Sequence, residues 1–261
     1  MKKAIIDLRV SHSERVGAGC VLLKLRPVEG HLPECRPGQF AQLRVDAPGV
    51  FLRRPISIHD VEDDEISFLV QMVGEGTRWI FQLHTDDVVN AVMPLGNGFS
   101  LPRQGRVLLV GGGVGVAPLF YQGRMLKQRG VPFAFLMGAR TRDLLLRLDA
   151  FCALGDVFVT TEDGSEGECG FVTQHSILGG YDGNESQGAI SLIQTCGPTP
   201  MMRAVARYAQ ERGIACELSL ENRMACGIGA CLCCVQQTTE GHKCVCTDGP
   251  VFASEYIIEN I

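Results

Sequence analysis

The sequence is short of positive charge: 24 Lys and Arg stand against 29 Asp and Glu, for a net charge of −5 at pH 7. That balance argues against a surface for nucleic acid or anionic membrane, both of which call for a basic patch. Long apolar runs are missing as well, since none approaches the roughly 18 residues needed to span a bilayer. The N-terminus, Met1 to Asp7, places an acid where a signal peptide carries an apolar core. No internal repeat and no low-complexity segment is present, so the chain is not a repeat array. The expected compartment is the cytoplasm, with no nucleic-acid or membrane partner.

Glycine and cysteine, by contrast, are plentiful, with 31 and 12 in 261 residues. The length suits two domains of about 100–200 residues each, and 46% hydrophobic residues support well-formed cores. The glycines point to tight turns and cofactor loops. A reducing cytoplasm makes a disulfide framework unexpected. Cys20, Cys35, Cys152, Cys169 and Cys216 read as small buried apolar residues.

The most specific pattern lies near the C-terminus. Cys226, Cys231 and Cys234 follow a Cys-x4-Cys-x2-Cys spacing, with Cys244 and Cys246 further on. Three thiolates on a tight loop, closed by a fourth, suit a plant-type [2Fe–2S] cluster. Gly227 and Gly229 let the backbone bend and aim N–H groups at sulfur. Zinc is the competing reading, but structural zinc sites usually pair their ligands at both ends. If residues 243–250 are extended, Cys244 and Cys246 face the same way, so periodicity leaves the fourth ligand open. Cys233 reads as a bystander.

Residues 1–101 alternate apolar stretches (20–25, 39–45, 66–72) with Gly, Pro and Asp clusters, as in a small antiparallel barrel. One helix is expected near 77–83, and Pro94 to Gly98 breaks the pattern. From Arg106 the rhythm becomes strand–helix: strand 107–110, a helix to Arg129, strand 133–137, helix 142–154, strands 156–160 and 190–196, helix 199–212 and a last strand at 216–220. Such alternation predicts an α/β parallel sheet. The expected division is a barrel over 1–101, an α/β domain over 102–213 and a cluster-binding region over 214–261.

Gly111-Gly112-Gly113-Val114-Gly115-Val116-Ala117-Pro118 ends the first buried strand and opens a helix, a seat for phosphate. Pro118 stands where the dinucleotide fingerprint has its third glycine. A second strand–helix turn, Cys196-Gly197-Pro198-Thr199-Pro200-Met201, offers the other side of a dinucleotide. Its plainer reading is an ordinary connection with Thr199 as N-cap. In the barrel half, Arg54-Pro55-Ile56-Ser57 sets a guanidinium and a hydroxyl on one extended segment, and Gly76-Thr77 opens the helix. Both suit pyrophosphate. Exposed arginines are, more plainly, solvated surface.

Together these motifs resemble the ferredoxin reductase superfamily, in which a flavin barrel precedes a nicotinamide-binding α/β domain. The stretches Leu220 to Cys231 and Cys246 to Phe252 narrow the likeness to the electron-transfer subunits of NAD-linked (type B) dihydroorotate dehydrogenase. The resemblance implies FAD at Arg54, Pro55, Ile56, Ser57, Leu69, Val70, Gln71, Gly76 and Thr77. It implies NAD at Gly111, Gly112, Gly113, Gly115 and Pro118, and at Cys196, Gly197, Pro198 and Met201. It also implies a [2Fe–2S] cluster on Cys226, Cys231, Cys234 and Cys246, choosing Cys246 over Cys244. An FMN-binding catalytic subunit is the implied partner, two copies of each forming a heterotetramer. Electrons from dihydroorotate would pass through the cluster and FAD to NAD+, with no acid–base residue required here. No acidic residue ends the second α/β strand at Met137-Gly138-Ala139-Arg140, and Arg140 suits a 2′-phosphate, so NAD follows from the resemblance. The alternatives are a diaphorase subunit of an NAD(P)H–ferredoxin oxidoreductase or hydrogenase, and a redox-sensing or zinc-stabilised binding module.

Overall fold

The computed structural model describes residues 3–17, 19–180 and 189–257. Met1 and Lys2, part of the signal-peptide reading, lie outside them. Strands β1 (Ala4–Arg15), β2 (Cys20–Pro27), β3 (Phe40–Leu43), β4 (Arg54–Glu62), β5 (Glu65–Gln71) and β6 (Val88–Leu95) form a closed barrel ordered β1-β2-β5-β4-β3-β6. Neighbours are antiparallel throughout, and β6 returns to β1 from Ala4↔Met93 to Arg9↔Val88. Closure leaves no free edge. Leu8, Val10, Leu23, Ile58, Phe68 and Ala91 fill the interior.

Helix α1 (Glu75–Phe81) joins β5 to β6 and buries Ile80 against the barrel core. It starts two residues earlier than the sequence suggests because Thr77 caps it: its hydroxyl accepts from the N–H groups of Val73 and Gly74 at 2.8 and 3.1 Å. β6 likewise runs through Pro94, where a break was expected. Leu95 pairs with Phe40 and is fully buried, so packing overrides the local signal.

The rest builds a seven-stranded sheet from β7 (Arg106–Gly112), β8 (Phe133–Ala139), β9 (Asp156–Thr161), β10 (Glu168–Cys169), β11 (Ile190–Cys196), β12 (Ala215–Ser219) and β15 (Val251–Ala253). The order is β10-β9-β8-β7-β11-β12-β15, parallel except for the β12/β15 pair. Helices α2 (Ala117–Gln128), α3 (Leu148–Leu154), α4 (Ser176–Gly180) and α5 (Thr199–Glu211) connect these strands. A hairpin of β13 (Val235–Thr238) and β14 (Gly241–Cys244) precedes β15, and α6 (Ser254–Ile257) follows it. Among the described residues no helix is long and apolar enough to cross a membrane. The expected barrel followed by an α/β parallel sheet is the observed architecture.

Two local expectations fail, and with them one detail of the plainer reading of the second turn. The helix expected over 142–154 is split into a 3₁₀ turn, Arg142–Leu144, and α3. Arg147 breaks it at φ 55°, turning its guanidinium onto His59. Thr199 is the first residue of α5 rather than its cap, and the Met202 N–H donates instead to the Pro198 carbonyl at 3.0 Å. Of the cysteines read as buried, Cys20, Cys35 and Cys216 are, but Cys152 and Cys169 are exposed.

One helix ties the barrel to the sheet. Along α2, Ala117 accepts from His59, Tyr121 donates to the Cys35 carbonyl at 3.1 Å, and Arg124 reaches Asp60 at 2.7 Å. Positions 117, 121 and 124 share one helical face. The helix that opens at the glycine loop is therefore clamped along its length to β4 and the loop before β3.

Candidate cofactor sites

A cleft of about 400 Å³ opens where the barrel meets the sheet. Arg54, Pro55, Ile56 and Ser57 form one wall, with Leu69, Val70, Gln71 and Thr77 beside them. Val114 and Ala117 bring the start of α2, and Leu220 to Met224 close the other side with Pro250. Eight of the nine residues expected to hold flavin thus line one cleft. The ninth, Gly76, lies just behind: a Cβ there would strike the Arg54 guanidinium, whose Nη1 also donates to the Leu52 carbonyl at 2.6 Å. Glycine is what lets that guanidinium pack on α1. Thr77 is less free than expected, because its hydroxyl is engaged in capping. A mixed apolar and cationic lining suits a flavin carrying a pyrophosphate.

The sequence reading missed Phe40, Val73 and the 220–224 stretch as cleft residues. Phe40 lies in the 39–45 stretch read as a barrel strand, and its aromatic side chain was the available signal for the first. Glu221 lines the cleft with its edge open to solvent, and the surrounding atoms hold its carboxyl above the ordinary carboxylate range by desolvation. A larger hollow of about 580 Å³, between α4 and α5, contains none of the expected residues.

The two glycine turns meet each other. A Cβ on Gly112 would lie 2.6 Å from the Met201 sulfur and 3.0 Å from Pro198 Cδ. One on Gly115 would lie 2.5 Å from both the Cys196 carbonyl oxygen and Gly197 Cα. Gly197, at φ 154°, would put its own Cβ 2.7 Å from Met201 Cε and 3.0 Å from the Gly112 nitrogen. Gly113 takes φ 55°, and Pro118 falls in the first turn of α2. The turns after β7 and β11 are thus packed backbone to backbone at the carboxyl ends of neighbouring parallel strands, where open sheets take nucleotides. Cys196 is buried, which pushes its thiol well above the ordinary range. Arg140 follows the end of β8 and is exposed.

The cysteine loop leaves the cleft directly, Cys226 lying two residues beyond Met224. Gly227 and Gly229 take φ 71° and 85°, and the loop turns its N–H groups inward. Those of Ile228 and Cys231 donate to Cys226 Sγ at 3.4 Å each. They pull its thiol down to about 6. The Cys246 N–H donates to Cys234 Sγ, also at 3.4 Å. Cys226 with Cys231, and Cys234 with Cys246, thus stand as two close pairs. Burial pushes the bare Cys246 thiol up to about 12, a barrier that metal coordination removes by deprotonating it outright. Among the described residues no three His, Cys, Asp or Glu side chains converge as around a single ion. A two-iron cluster takes two thiolates at each iron and does not require such convergence.

Residues 243–250 are not extended. β14 ends at Cys244, and a turn follows in which Thr247 and Asp248 donate to the Cys244 carbonyl at 3.0 and 2.8 Å. The turn separates the two candidates: Cys246 is fully buried beside Cys234, while Cys244 is half-buried, its N–H donating to the Asp248 carboxylate at 2.7 Å. Cys233 is exposed. Asn97 anchors the return path, its side chain bonding the carbonyls of Asp248 and Val251 at 2.9 and 2.8 Å.

Residues 221–258 match the family described as the iron–sulfur cluster binding domain of dihydroorotate dehydrogenase B. Over 227 residues the chain is 40% identical to the "Dihydroorotate dehydrogenase B (NAD(+)), electron transfer subunit" of Caldanaerobacter subterraneus subsp. tengcongensis, covering 85% of this chain and 87% of the relative. The corresponding protein of Fusobacterium nucleatum subsp. nucleatum is 35% identical over 265 residues, 98% and 99% of the two chains. Among solved structures, an NADH-dependent reduced ferredoxin-NADP oxidoreductase superposes with a TM-score of 0.83 at 29% identity, covering 97% of this chain and 90% of the other. A ferredoxin reductase of carbazole 1,9a-dioxygenase, at 20% identity and a TM-score of 0.68 over 82% and 67%, shares the fold. By identity sustained along nearly its whole length, the chain belongs to the electron transfer subunits of dihydroorotate dehydrogenase B (NAD(+)).

Proposed function

We propose that this chain carries electrons from dihydroorotate, oxidised on an FMN-containing catalytic subunit, to NAD+ in the cytoplasm, in a complex with two copies of each subunit. The observation that carries this reading is the cleft itself. Its walls come from the Arg54–Ser57 strand, the start of α2 and the Leu220–Met224 segment that runs into the cysteine loop. One cleft therefore adjoins all three expected cofactor sites. When bound, flavin supplies the exchange between single electrons and a hydride pair, which neither an iron–sulfur centre nor nicotinamide performs alone.

The chain's own residues bind and orient. Arg54 offers its guanidinium to the pyrophosphate, with Gly76 leaving room for it. Pro55, Ile56, Leu69 and Val70 furnish apolar and backbone contacts, and Ser57 and Gln71 furnish polar ones. The bare turns at Gly111–Gly115 and Cys196–Pro198, backed by Pro118 and Met201, admit the dinucleotide close to the backbone. Cys226, Cys231, Cys234 and Cys246 ligate the cluster, with the Ile228 and Cys231 N–H groups stabilising sulfur charge. The same assignment divides the chain into a flavin barrel over 1–101, a nucleotide domain over 102–213 and a cluster region over 214–261.

The test is anaerobic co-purification with the catalytic subunit, then iron, acid-labile sulfide and flavin analysis. Dihydroorotate-dependent NAD+ reduction is the expected result. A complex that ignores dihydroorotate but reduces ferredoxin would instead make the chain a diaphorase subunit.

A further inference from the structure

Gln42 is a buried amide for which the described residues supply no partner. It lies on β3, opposite Pro55 of β4 on one side and Val92 of β6 on the other. The residue is 0% exposed, and among the described residues neither its Oε1 nor its Nε2 has a hydrogen-bond partner. Its backbone is satisfied, the carbonyl accepting from Arg53 Nη1 at 3.2 Å. Leaving a buried amide unmet costs about 1–3 kcal/mol. An orphan of this kind calls for an explanation, and a redox or ligand role is among the recurrent ones.

The side chain points at the cysteine loop. A Cβ on Gly227, the residue after Cys226, would stand 2.9 Å from Nε2 and 2.8 Å from Cγ of Gln42. The same Cβ would meet Leu95 at 3.2 Å. Leu95 and Phe40 belong to one buried cluster with Cys234, Val245 and Cys246. The amide is thus enclosed between the barrel wall and the loop that carries the thiols.

We propose that Gln42 donates its Nε2–H to a sulfur of the [2Fe–2S] cluster and so raises the cluster's reduction potential, a role that rests on the iron–sulfur reading of Cys226, Cys231, Cys234 and Cys246. One-electron reduction of such a cluster is iron-based and would make its sulfurs more negative. A hydrogen bond to sulfur therefore favours the reduced form, and more so in a site shielded from water. No bond to the protein forms or breaks. Gln42 comes from the flavin barrel, so the domain that holds the next electron acceptor also tunes the donor.

The test is a redox titration of the anaerobically purified, cofactor-loaded protein, following the cluster by EPR and the flavin by absorbance. Gln42→Leu should lower the equilibrium constant for cluster reduction about tenfold, roughly 59 mV for one electron. Iron and sulfide content and the flavin potential should not change. Because leucine could disturb the loop, a second measurement uses the wild-type chain. With glutamine labelled by ¹⁵N at the side-chain amide, pulsed EPR of the reduced cluster should show a ¹⁵N coupling that Gln42→Glu abolishes. A cluster potential unmoved in a loaded Gln42→Leu protein, or no ¹⁵N coupling in the wild type, overturns the proposal. A wild type that shows no cluster signal at all defeats the iron–sulfur reading instead, so the two failures are distinguishable.

Discussion

Acid should loosen the seam between barrel and sheet through one histidine. His59 leaves β4 fully buried, with Nδ1 2.7 Å from the Ala117 carbonyl and Nε2 2.7 Å from Arg147 Nη1. A carbonyl only accepts and a guanidinium only donates, so the ring is neutral, with its proton on Nδ1. Phe120 stacks on it at 4.9 Å, and Arg147 in turn lies 5.4 Å over the Phe120 ring. Burial pushes the imidazole from 6.5 to about 3, opposed by the Ala117 hydrogen bond and assisted by the charges of Arg147 and Lys24. The unfolded chain accepts a proton below about 6.5 that the folded chain refuses until about 3. Stability from neutral His59 is therefore complete above 6.5 and falls as pH drops toward 3. Between pH 7 and pH 5 the loss is about 1.5 units at roughly 1.4 kcal/mol each, or about 2 kcal/mol.

His59→Gln isolates this contribution, since a carboxamide offers a donor and an acceptor but takes up no proton. Urea midpoints of the FAD-loaded chain, followed by circular dichroism at pH 7, 6 and 5, should fall more steeply for the wild type than for the variant. The gap should widen by about 2 kcal/mol over that range. Parallel curves would refute the account and leave the His59–Arg147 contact without an energetic role.

Other consequences test the sites. Cys246→Ser should abolish the cluster while FAD stays bound, whereas Cys244→Ser should leave both, as iron, sulfide and flavin analysis will read; a cluster retained by Cys246→Ser would reverse the ligand choice. Gly76→Ala pushes on the mobile end of Arg54 rather than on backbone, so melting of the apoprotein should change by less than about 1 kcal/mol while FAD affinity falls severalfold by fluorescence titration. Gly115→Ala instead drives a methyl into the Cys196 carbonyl and Gly197 Cα, each 2.5 Å away. Such overpacking costs about 1–3 kcal/mol, and the KM for NADH in a dye-reduction assay should rise with little change in cluster or flavin content.

Legibility in the sequence followed how local the determining contacts are. Val107 to Val110 announced a doubly buried parallel strand because every residue is apolar, and the structure buries all four. The split at Arg147 was invisible, because its cause is a histidine 88 positions earlier. An extended 243–250, the condition under which Cys244 and Cys246 would face alike, is not met for a related reason: the turn after Cys244 is set by the Asp248 carboxylate and by Val245 donating to the Cys234 carbonyl at 3.0 Å. Gln42 gave no signal at all. A glutamine in a strand reads as a solvated position, and only its burial against Gly227 marks it out.

As the proposed flavin site, the cleft meets two demands that pull against each other. Single-electron transfer between cluster and flavin favours a fixed separation, and the chain removes hinges on that side. The Leu220 N–H donates to the Pro250 carbonyl at 2.9 Å, β12 pairs with β15, and the Asn97 N–H donates to the Gly249 carbonyl at 2.6 Å. Gly96, at φ 74°, allows that approach, since a Cβ there would lie 2.6 Å from both the Gly249 oxygen and Pro250 Cδ. Nicotinamide must enter and leave at every turnover. With α2 clamped at Ala117, Tyr121 and Arg124, that exchange cannot come from the domains swinging apart without breaking buried hydrogen bonds. It falls instead to motions smaller than a domain swing, which leave those bonds in place. The side that carries electrons singly is thus held by backbone pairing from Leu220 to Pro250, and nicotinamide exchange must leave that pairing intact.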